Sequence, residues 1–218
     1  MERPTATGLL DRVFAASELT GPDHWCASHG AAPESEHLGA GLLYYALAYS
    51  LRASVCVCLG SGGGFVPRMM RQAQRDLALE PSRTILVDGA DAVPPEKRRI
   101  WGSPNWAAED SWFRTRFPDV EVVLSLTKEA HEAFAADGVP IDYLHIDGDH
   151  HYEGVRLDFD LFAPLVRDDG VITLHDSGNY REPCGVPQLV EELRQDGFYS
   201  VVHFPIAYGT ALVKKNPA

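Results

Sequence analysis

The sequence has no apolar run long enough to cross a bilayer. Its longest candidate, Leu42 to Leu51, is short and reads as a buried helix. Residues Met1 to Leu10 lack the apolar core of a signal peptide, so a cytoplasmic location is expected. Basic residues are few: 19 Lys and Arg face 31 Asp and Glu, a formal net charge of -12. Such a surface disfavours nonspecific binding to nucleic acid or to anionic membrane, and neither partner is expected. A small-molecule or oligosaccharide substrate in a local pocket remains compatible with it. There are only four cysteines, and Cys56 and Cys58 do not make a CxxC pair, so a zinc-ribbon type of site is excluded and reduced thiols are expected. Internal repeats and low-complexity tracts are absent.

What is present is an alternation of strand-like and helix-like segments over 218 residues, a length suited to a single domain. Short apolar runs at Ser54–Leu59, Thr84–Val87, Val120–Leu124, Tyr143–Ile146 and Val171–Leu174 read as buried parallel strands. Between them, helical spacing recurs at Phe65–Leu79, Thr127–Ala136, Val155–Val166 and Val186–Gln195. Ser35 reads as the N-cap of a helix to about Leu51, with Leu38, Leu42, Ala46 and Tyr49 on one face. Residues 9–19 have helical spacing, and Thr20–Pro33 reads as loop. Asp168-Asp169-Gly170 reads as a turn into the fifth strand. Phe198–Phe204 and Thr210–Val213 read as a terminal hairpin. The pattern predicts an α/β fold: a doubly wound, mostly parallel seven-stranded sheet closed by that antiparallel hairpin. Asp91–Pro118 breaks the alternation. With Trp101, Trp106, Trp112, Arg98 and Arg99 it suits a lid or a carbohydrate-facing loop, and equally a dimer contact.

The first strand runs into Gly60-Ser61-Gly62-Gly63-Gly64, where glycines permit a tight turn and close approach of a ligand. Phe65 breaks the full GxGxxG dinucleotide pattern and leaves GxGxG. Asp88 ends the second strand, where an acid can accept hydrogen bonds from ribose hydroxyls. The bland alternative is a strand-to-helix turn with a solvated Asp.

A second polar group ends the fourth and fifth strands: His145-Ile-Asp147-Gly-Asp149-His150-His151, and His175-Asp176-Ser177. In a doubly wound sheet the fourth strand adjoins the first at the switch point, and neighbouring strands are about 4.8 Å apart. Asp147 and Asp176 can therefore converge on one divalent cation, with His175 as third ligand. Oxygen ligands favour Mg²⁺ or Mn²⁺, while imidazole also tolerates Fe²⁺ or Zn²⁺. The alternative is that the acids only cap helices. His145 is a candidate catalytic group or a satisfied core histidine, and His151 is expected to face solvent.

The stretch Asp142–Asp176 together with Val55–Gly64 resembles class I S-adenosylmethionine-dependent O-methyltransferases, over roughly Ser35 to Val213. The likeness is greatest to small bacterial metal-dependent enzymes acting on sugars and natural products, including those of methylmannose polysaccharide biosynthesis. The resemblance implies a Rossmann-like methyltransferase fold and S-adenosylmethionine as cofactor. It places Gly60, Ser61, Gly62 and Gly64 at the methionine part, Asp88 at the ribose and Ser125 at the adenine. It assigns a metal to Asp147, His175 and Asp176, although acidic or amide pairs are more usual than His175-Asp176, which leaves Ser177 as the other third ligand. His150 holds the position of the catalytic base. A homodimer is a further expectation, being the commonest assembly. Two rivals remain. One is a non-haem iron oxygenase built on His145-x-Asp147 with His203; the other is a nucleotide-binding module without activity.

Overall fold

The computed structural model describes residues 16–89, 104–181 and 183–217. Residues 9–15 of the first expected helix and residues 91–103 of the aromatic insertion, with Arg98, Arg99 and Trp101, lie outside them. The elements are α1 (Ala16–Thr20), α2 (Gly41–Ser50), β1 (Val55–Leu59), α3 (Phe65–Asp76), β2 (Arg83–Asp88), α4 (Trp112–Arg116), β3 (Val120–Leu124), α5 (Thr127–Asp137), β4 (Ile141–Ile146), α6 (Tyr152–Phe162), β5 (Val166–His175), α7 (Val186–Gln195), β6 (Tyr199–Phe204) and β7 (Thr210–Lys215). Among the described residues, no helix is long and apolar enough to cross a membrane.

The seven strands form one sheet in the order β3-β2-β1-β4-β5-β7-β6. Pairings from β3 through β5 are parallel, and β7 runs antiparallel to both β5 and β6. The apolar runs of β1, β2, β4 and β5 become buried strands because helices cover both faces, whereas β3 lies at the sheet edge and is partly exposed, with Leu124 on the surface. Cys56 and Cys58 point to the face packed by α2 and α3, with Tyr44, Phe65 and Met69. Val57 and Leu59, on alternate positions, point to the face covered by α5, α6 and α7, with Phe159, Phe162 and Leu189. The four cysteines are free thiols.

Three local expectations are corrected. The helix expected from Ser35 begins at Gly41. Ser35 instead closes a short 3₁₀ turn, Pro33–Ser35, beneath a bridge between Ala32 and His37. The cause is the approach of Gly39 to Gly30: a Cβ on Gly39 would overlap the Gly30 backbone, and its φ is +52°. The buried face of α2 is also not the expected one. Tyr44, Tyr45 and Ala48 are buried, while Leu42 is 39% exposed. This helix is apolar all round, so periodicity carried little information. Finally, Asp168-Asp169-Gly170 belongs to β5 rather than preceding it. The extra residues are absorbed where the β4–β5 register shifts between Ile141 and Tyr143.

The described part of the insertion packs inward. Trp106 and Trp112 lie against the core, and Trp106 meets Phe113 at 5.9 Å between ring centroids. The Trp112 ring lies 5.1 Å from the Arg68 guanidinium. These two tryptophans serve packing, not a free sugar-stacking surface.

Candidate active site

The strand order reverses between β1 and β4, and there the glycine loop and Asp147 meet. Gly60 N–H donates to Val87 O (2.8 Å), and Asp147 N–H donates to Leu59 O (2.8 Å). Gly60 has φ +72°, and a Cβ on it would collide with the Asp147 carbonyl. The glycine is therefore required by the junction of the two strands before any ligand is considered. The rest of the loop is covered by protein. A Cβ on Gly62 would come within 2.9 Å of Trp25, one on Gly63 within 2.5 Å of the Asp23 carboxylate, and one on Gly64 within 2.6 Å of Phe113.

Phe113 belongs to α4, whereas the cover over Gly62 and Gly63 comes from the segment expected to be loop. Residues His24–His29 form a 3₁₀ helix capped by the Asp23 side chain, which accepts from Trp25 N–H at 2.9 Å. Arg68, fully buried on α3, fastens it by donating to Gly64 O (2.9 Å), Thr20 O (2.7 Å) and Asp23 Oδ2 (2.7 Å). Burial lowers the Arg68 pKa to about 10, and the Asp23 charge opposes that shift.

Asp88 ends β2 beside the loop, and its Oδ2 accepts from Ser61 N–H at 3.3 Å. Ser125 lies next to it, with its N–H donating to Asp88 O (3.0 Å) and its hydroxyl to Leu126 O (2.9 Å). The cofactor residues expected from the sequence, Gly60, Ser61, Gly62, Gly64, Asp88 and Ser125, thus line one end of the sheet around β1 to β3. Gly64 caps α3 in the left-handed region without a side-chain cap, and the Asp23 carboxylate stands beside Gly63 at this helix start. The loop and the acid Asp88 fit a nucleoside cofactor.

Asp147 is the centre of the second cluster. Its Oδ1 lies 3.0 Å from His175 Nδ1 and 3.2 Å from His150 Nε2. Its Oδ2 lies 3.4 Å from His29 Nε2 and 3.9 Å from His145 Nε2, the latter too long for a hydrogen bond. Asp176 Oδ2 lies 3.1 Å from His150 Nδ1 and 3.5 Å from His175 Nδ1. Burial alone would raise the Asp147 pKa, but His175, His145 and His150 hold it well below the usual carboxylate range. Burial would likewise lower His175, and Asp147 and Asp176 overcome it, taking the imidazole up to about 10. His29 is pushed down to about 4 by burial and by the neighbouring His175. The expected metal ligands Asp147, His175 and Asp176 lie side by side, but the groups whose ligand atoms come close enough to share one ion among the described residues are His29–Asp147–His175 and Asp147–His150–Asp176.

His150, expected as the base, has both ring nitrogens facing carboxylates. Burial would lower its pKa, yet Asp147 and then Asp176 raise it above the usual imidazole value. His145 is fully buried: its Nδ1 bonds Thr173 Oγ1 (2.7 Å), which donates to Tyr143 OH (3.1 Å), while Nε2 has no partner. It is therefore half a core histidine and half a site residue. His151 faces solvent and pairs with Asp149 at 2.7 Å, as expected. His203, required by the oxygenase rival, belongs to neither grouping of possible metal ligands found among the described residues. It lies instead beside Gly178 and Gly209.

His29 was missed as a site residue. Its sequence neighbourhood, rich in Gly, Pro and polar side chains, gives no periodic signal, and only the fold of the covering segment brings it to Asp147.

Residues 57–177 match a family model described as a methyltransferase domain. The chain belongs to the methyltransferase-domain family. No curated protein matches it significantly. Among solved structures, this methyltransferase resembles the O-methyltransferase TomG from Streptomyces achromogenes, involved in tomaymycin synthesis and solved with SAM. The TM-score is 0.58 at 15% identity, covering 96% of this chain and 90% of that one. An O-methyltransferase from Bacillus cereus in complex with SAH gives 0.58 at 16% identity, covering 98% and 92%. The SAH-bound methyltransferase PaMTH1 of Podospora anserina gives 0.57 at 13% identity, covering 100% and 99%. At these identities the likeness is one of fold. The match spans both the glycine loop and the Asp147–Asp176 cluster.

Proposed function

We propose that the protein transfers the methyl group of S-adenosylmethionine to a hydroxyl of a small-molecule or carbohydrate acceptor, assisted by a divalent metal. The observation carrying this reading is the placement of Asp147: its backbone abuts the glycine loop, and its carboxylate gathers four imidazoles beside Asp176. The cofactor's sulfonium would supply an activated methyl, and the chain's task is orientation. Asp88 would hold the ribose, Ser125 the adenine side, and the loop residues Gly60, Ser61, Gly62 and Gly64 the methionine part. Solved structures with SAM or SAH bound, alike to this chain over nearly its whole length, share the fold on which this reading rests.

Asp147, His175 and Asp176 would hold Mg²⁺ or Mn²⁺, which supplies Lewis acidity that lowers a hydroxyl pKa. The base must be a group near that hydroxyl which can take a proton. His150 meets the condition only when its hold on Asp147 and Asp176 is weakened, because both carboxylates stabilise its charged form. His145 Nε2 is buried, unpartnered and 3.9 Å from Asp147 Oδ2.

The test is methyl transfer to a panel of catechols and free sugars, with S-adenosylmethionine binding followed by calorimetry. Cofactor binding with EDTA-sensitive turnover is expected. Turnover untouched by EDTA would remove the metal, and absence of cofactor binding would remove the methyltransferase reading of the loop.

A further inference from the structure

The side of the cluster nearest the N-terminal cover is built differently from an oxygen-lined magnesium site. We propose that His29 Nε2, His175 Nδ1 and the Asp147 carboxylate form a two-histidine, one-carboxylate site that takes a nitrogen-preferring divalent transition ion rather than Mg²⁺. This rests on the metal reading above and changes its ligand set: His29 joins, and Asp176 serves His150.

Three observations converge. One ligand atom from each of His29, Asp147 and His175 lies within 4.8 Å of the others, close enough to share one ion. The two imidazole rings face each other at 4.0 Å between centroids, with an interplanar angle of 34°. Each ring is also anchored through its other nitrogen. His175 Nε2 lies 3.2 Å from Ser28 O, and a carbonyl only accepts, so the N–H is at Nε2. Nδ1 then faces Asp147 Oδ1 at 3.0 Å, and a cation entering between them would displace the proton they share and take the Nδ1 lone pair. His29 Nδ1 bonds Tyr44 OH at 3.0 Å, and that hydroxyl bonds Thr210 Oγ1 at 3.0 Å, which leaves Nε2 towards Asp147 Oδ2. Metal-bound histidines are held in this way, with the non-ligating nitrogen tied to a carbonyl or hydroxyl that fixes the ring.

An independent sign comes from His145. Its Nε2 is fully buried, has no hydrogen-bond partner, and is aimed at the same Asp147 oxygen from 3.9 Å. A buried polar atom without a partner is uncommon in a folded protein and calls for a reason such as an unseen ion. Two imidazoles among three ligands favour Mn²⁺, Fe²⁺, Co²⁺ or Zn²⁺, whereas Mg²⁺ prefers oxygen and keeps its waters. His29 lies on the 3₁₀ helix that also covers the glycine loop, so the ion would fasten this cover to the sheet.

The experiment is equilibrium binding of Co²⁺, Zn²⁺ and Mg²⁺ to the full chain, its His29→Gln variant and its Asp147→Ala variant. The visible spectrum of bound Co²⁺ is recorded alongside, with thermal melts as the folding control. Co²⁺ and Zn²⁺ are expected to bind far more tightly than Mg²⁺. His29→Gln is expected to weaken both by about tenfold or more and to shift the Co²⁺ bands. Wild-type affinity and spectrum in His29→Gln would overturn the proposal. Should that variant fail to fold, pulsed electron paramagnetic resonance of the Mn²⁺-loaded wild type counts coupled imidazole nitrogens directly. Two support the site, and one overturns it. Binding of Co²⁺ that needs Asp147 but ignores His29 would remove only this proposal, whereas failure of every ion to bind would remove the metal reading itself.

Discussion

The two ends of the sheet both bury acids, and they treat them in opposite ways. At the amino end, Asp142 accepts from Ser54 N–H (2.6 Å) and Val55 N–H (2.8 Å), with the Arg167 guanidinium 2.8 Å from its other oxygen. Nearby, Gln74 Nε2 donates to Ala53 O and Arg83 O, both at 3.0 Å, and its Oε1 accepts from Thr84 (2.8 Å) and Arg71 (2.8 Å). Through Asp142 and Gln74 these bonds tie β1, β2 and β4 together by their backbones. At the carboxyl end, Asp147 and Asp176 face imidazoles whose protons they must share, and His145 Nε2 is left over. In the first arrangement the side chains are spent mainly on backbone groups; in the second the carboxylates face titratable rings instead, and that separates scaffold from site.

The comparison breaks most sharply at the two aspartates. Asp147→Asn keeps the size of the side chain but removes the charge. It is expected to cut turnover on the order of 100–1000-fold, as loss of one preorganised electrostatic group does, with the melting temperature little changed. A modest loss would mean that the carboxyl-end cluster is as structural as the amino-end one. Asp142→Ala is expected to do the reverse. It strands two buried N–H groups and should cost roughly 2–4 kcal/mol by denaturant unfolding, with turnover per folded molecule unchanged.

Arg68 sharpens the contrast, because it lies at the functional end and yet is fully bonded. Arg68→Met leaves Asp23 without its buried partner and should cost about 3 kcal/mol. It should also weaken cofactor binding, since Asp23 and Trp25 rest on the glycine loop. A stability loss with unaltered cofactor affinity, measured by calorimetry, would show that the cover and the loop are independent.

How much of this was legible follows from the same contrast. The strands, their order and the position of Asp147 beside the glycine loop could be read from the sequence, because buried parallel strands are short apolar runs with polar residues collected at their carboxyl ends. The start of α2 and its buried face could not, since the helix is apolar all round and its start is set by the Gly30–Gly39 approach, a contact between distant backbones. Asp147, His175 and Asp176 were found as a group because each ends a strand. His29 was not, because it arrives from a segment without periodicity and is tied to the site through Tyr44 and Thr210. The raised pKa of His150 depends on carboxylates at the ends of two different strands, a geometry that sequence spacing does not contain.

Asp158 supplies the mildest test, as a buried acid that belongs to neither end. It lies on α6 beneath Gly148, where a Cβ would come within 2.8 Å of its Oδ2. Burial raises its pKa from 3.8 to about 6; a bond to Thr127 works against the shift and the charge of Asp149 adds to it. Below the unfolded value both states carry the proton, so the group does not affect stability. As pH rises through the interval up to about 6, the unfolded chain ionises while the fold resists, and stability falls. Above about 6 the cost is constant, at most about 3 kcal/mol. Asp158→Asn keeps the shape and an oxygen for Thr127 but removes the charge that must be buried. It is therefore expected to stabilise the protein by roughly 1–3 kcal/mol at pH 7.5, and by much less near pH 4. Urea unfolding at the two pH values reads this directly. An equal effect at both would mean that packing against Gly148, rather than the buried charge, sets the stability of this position.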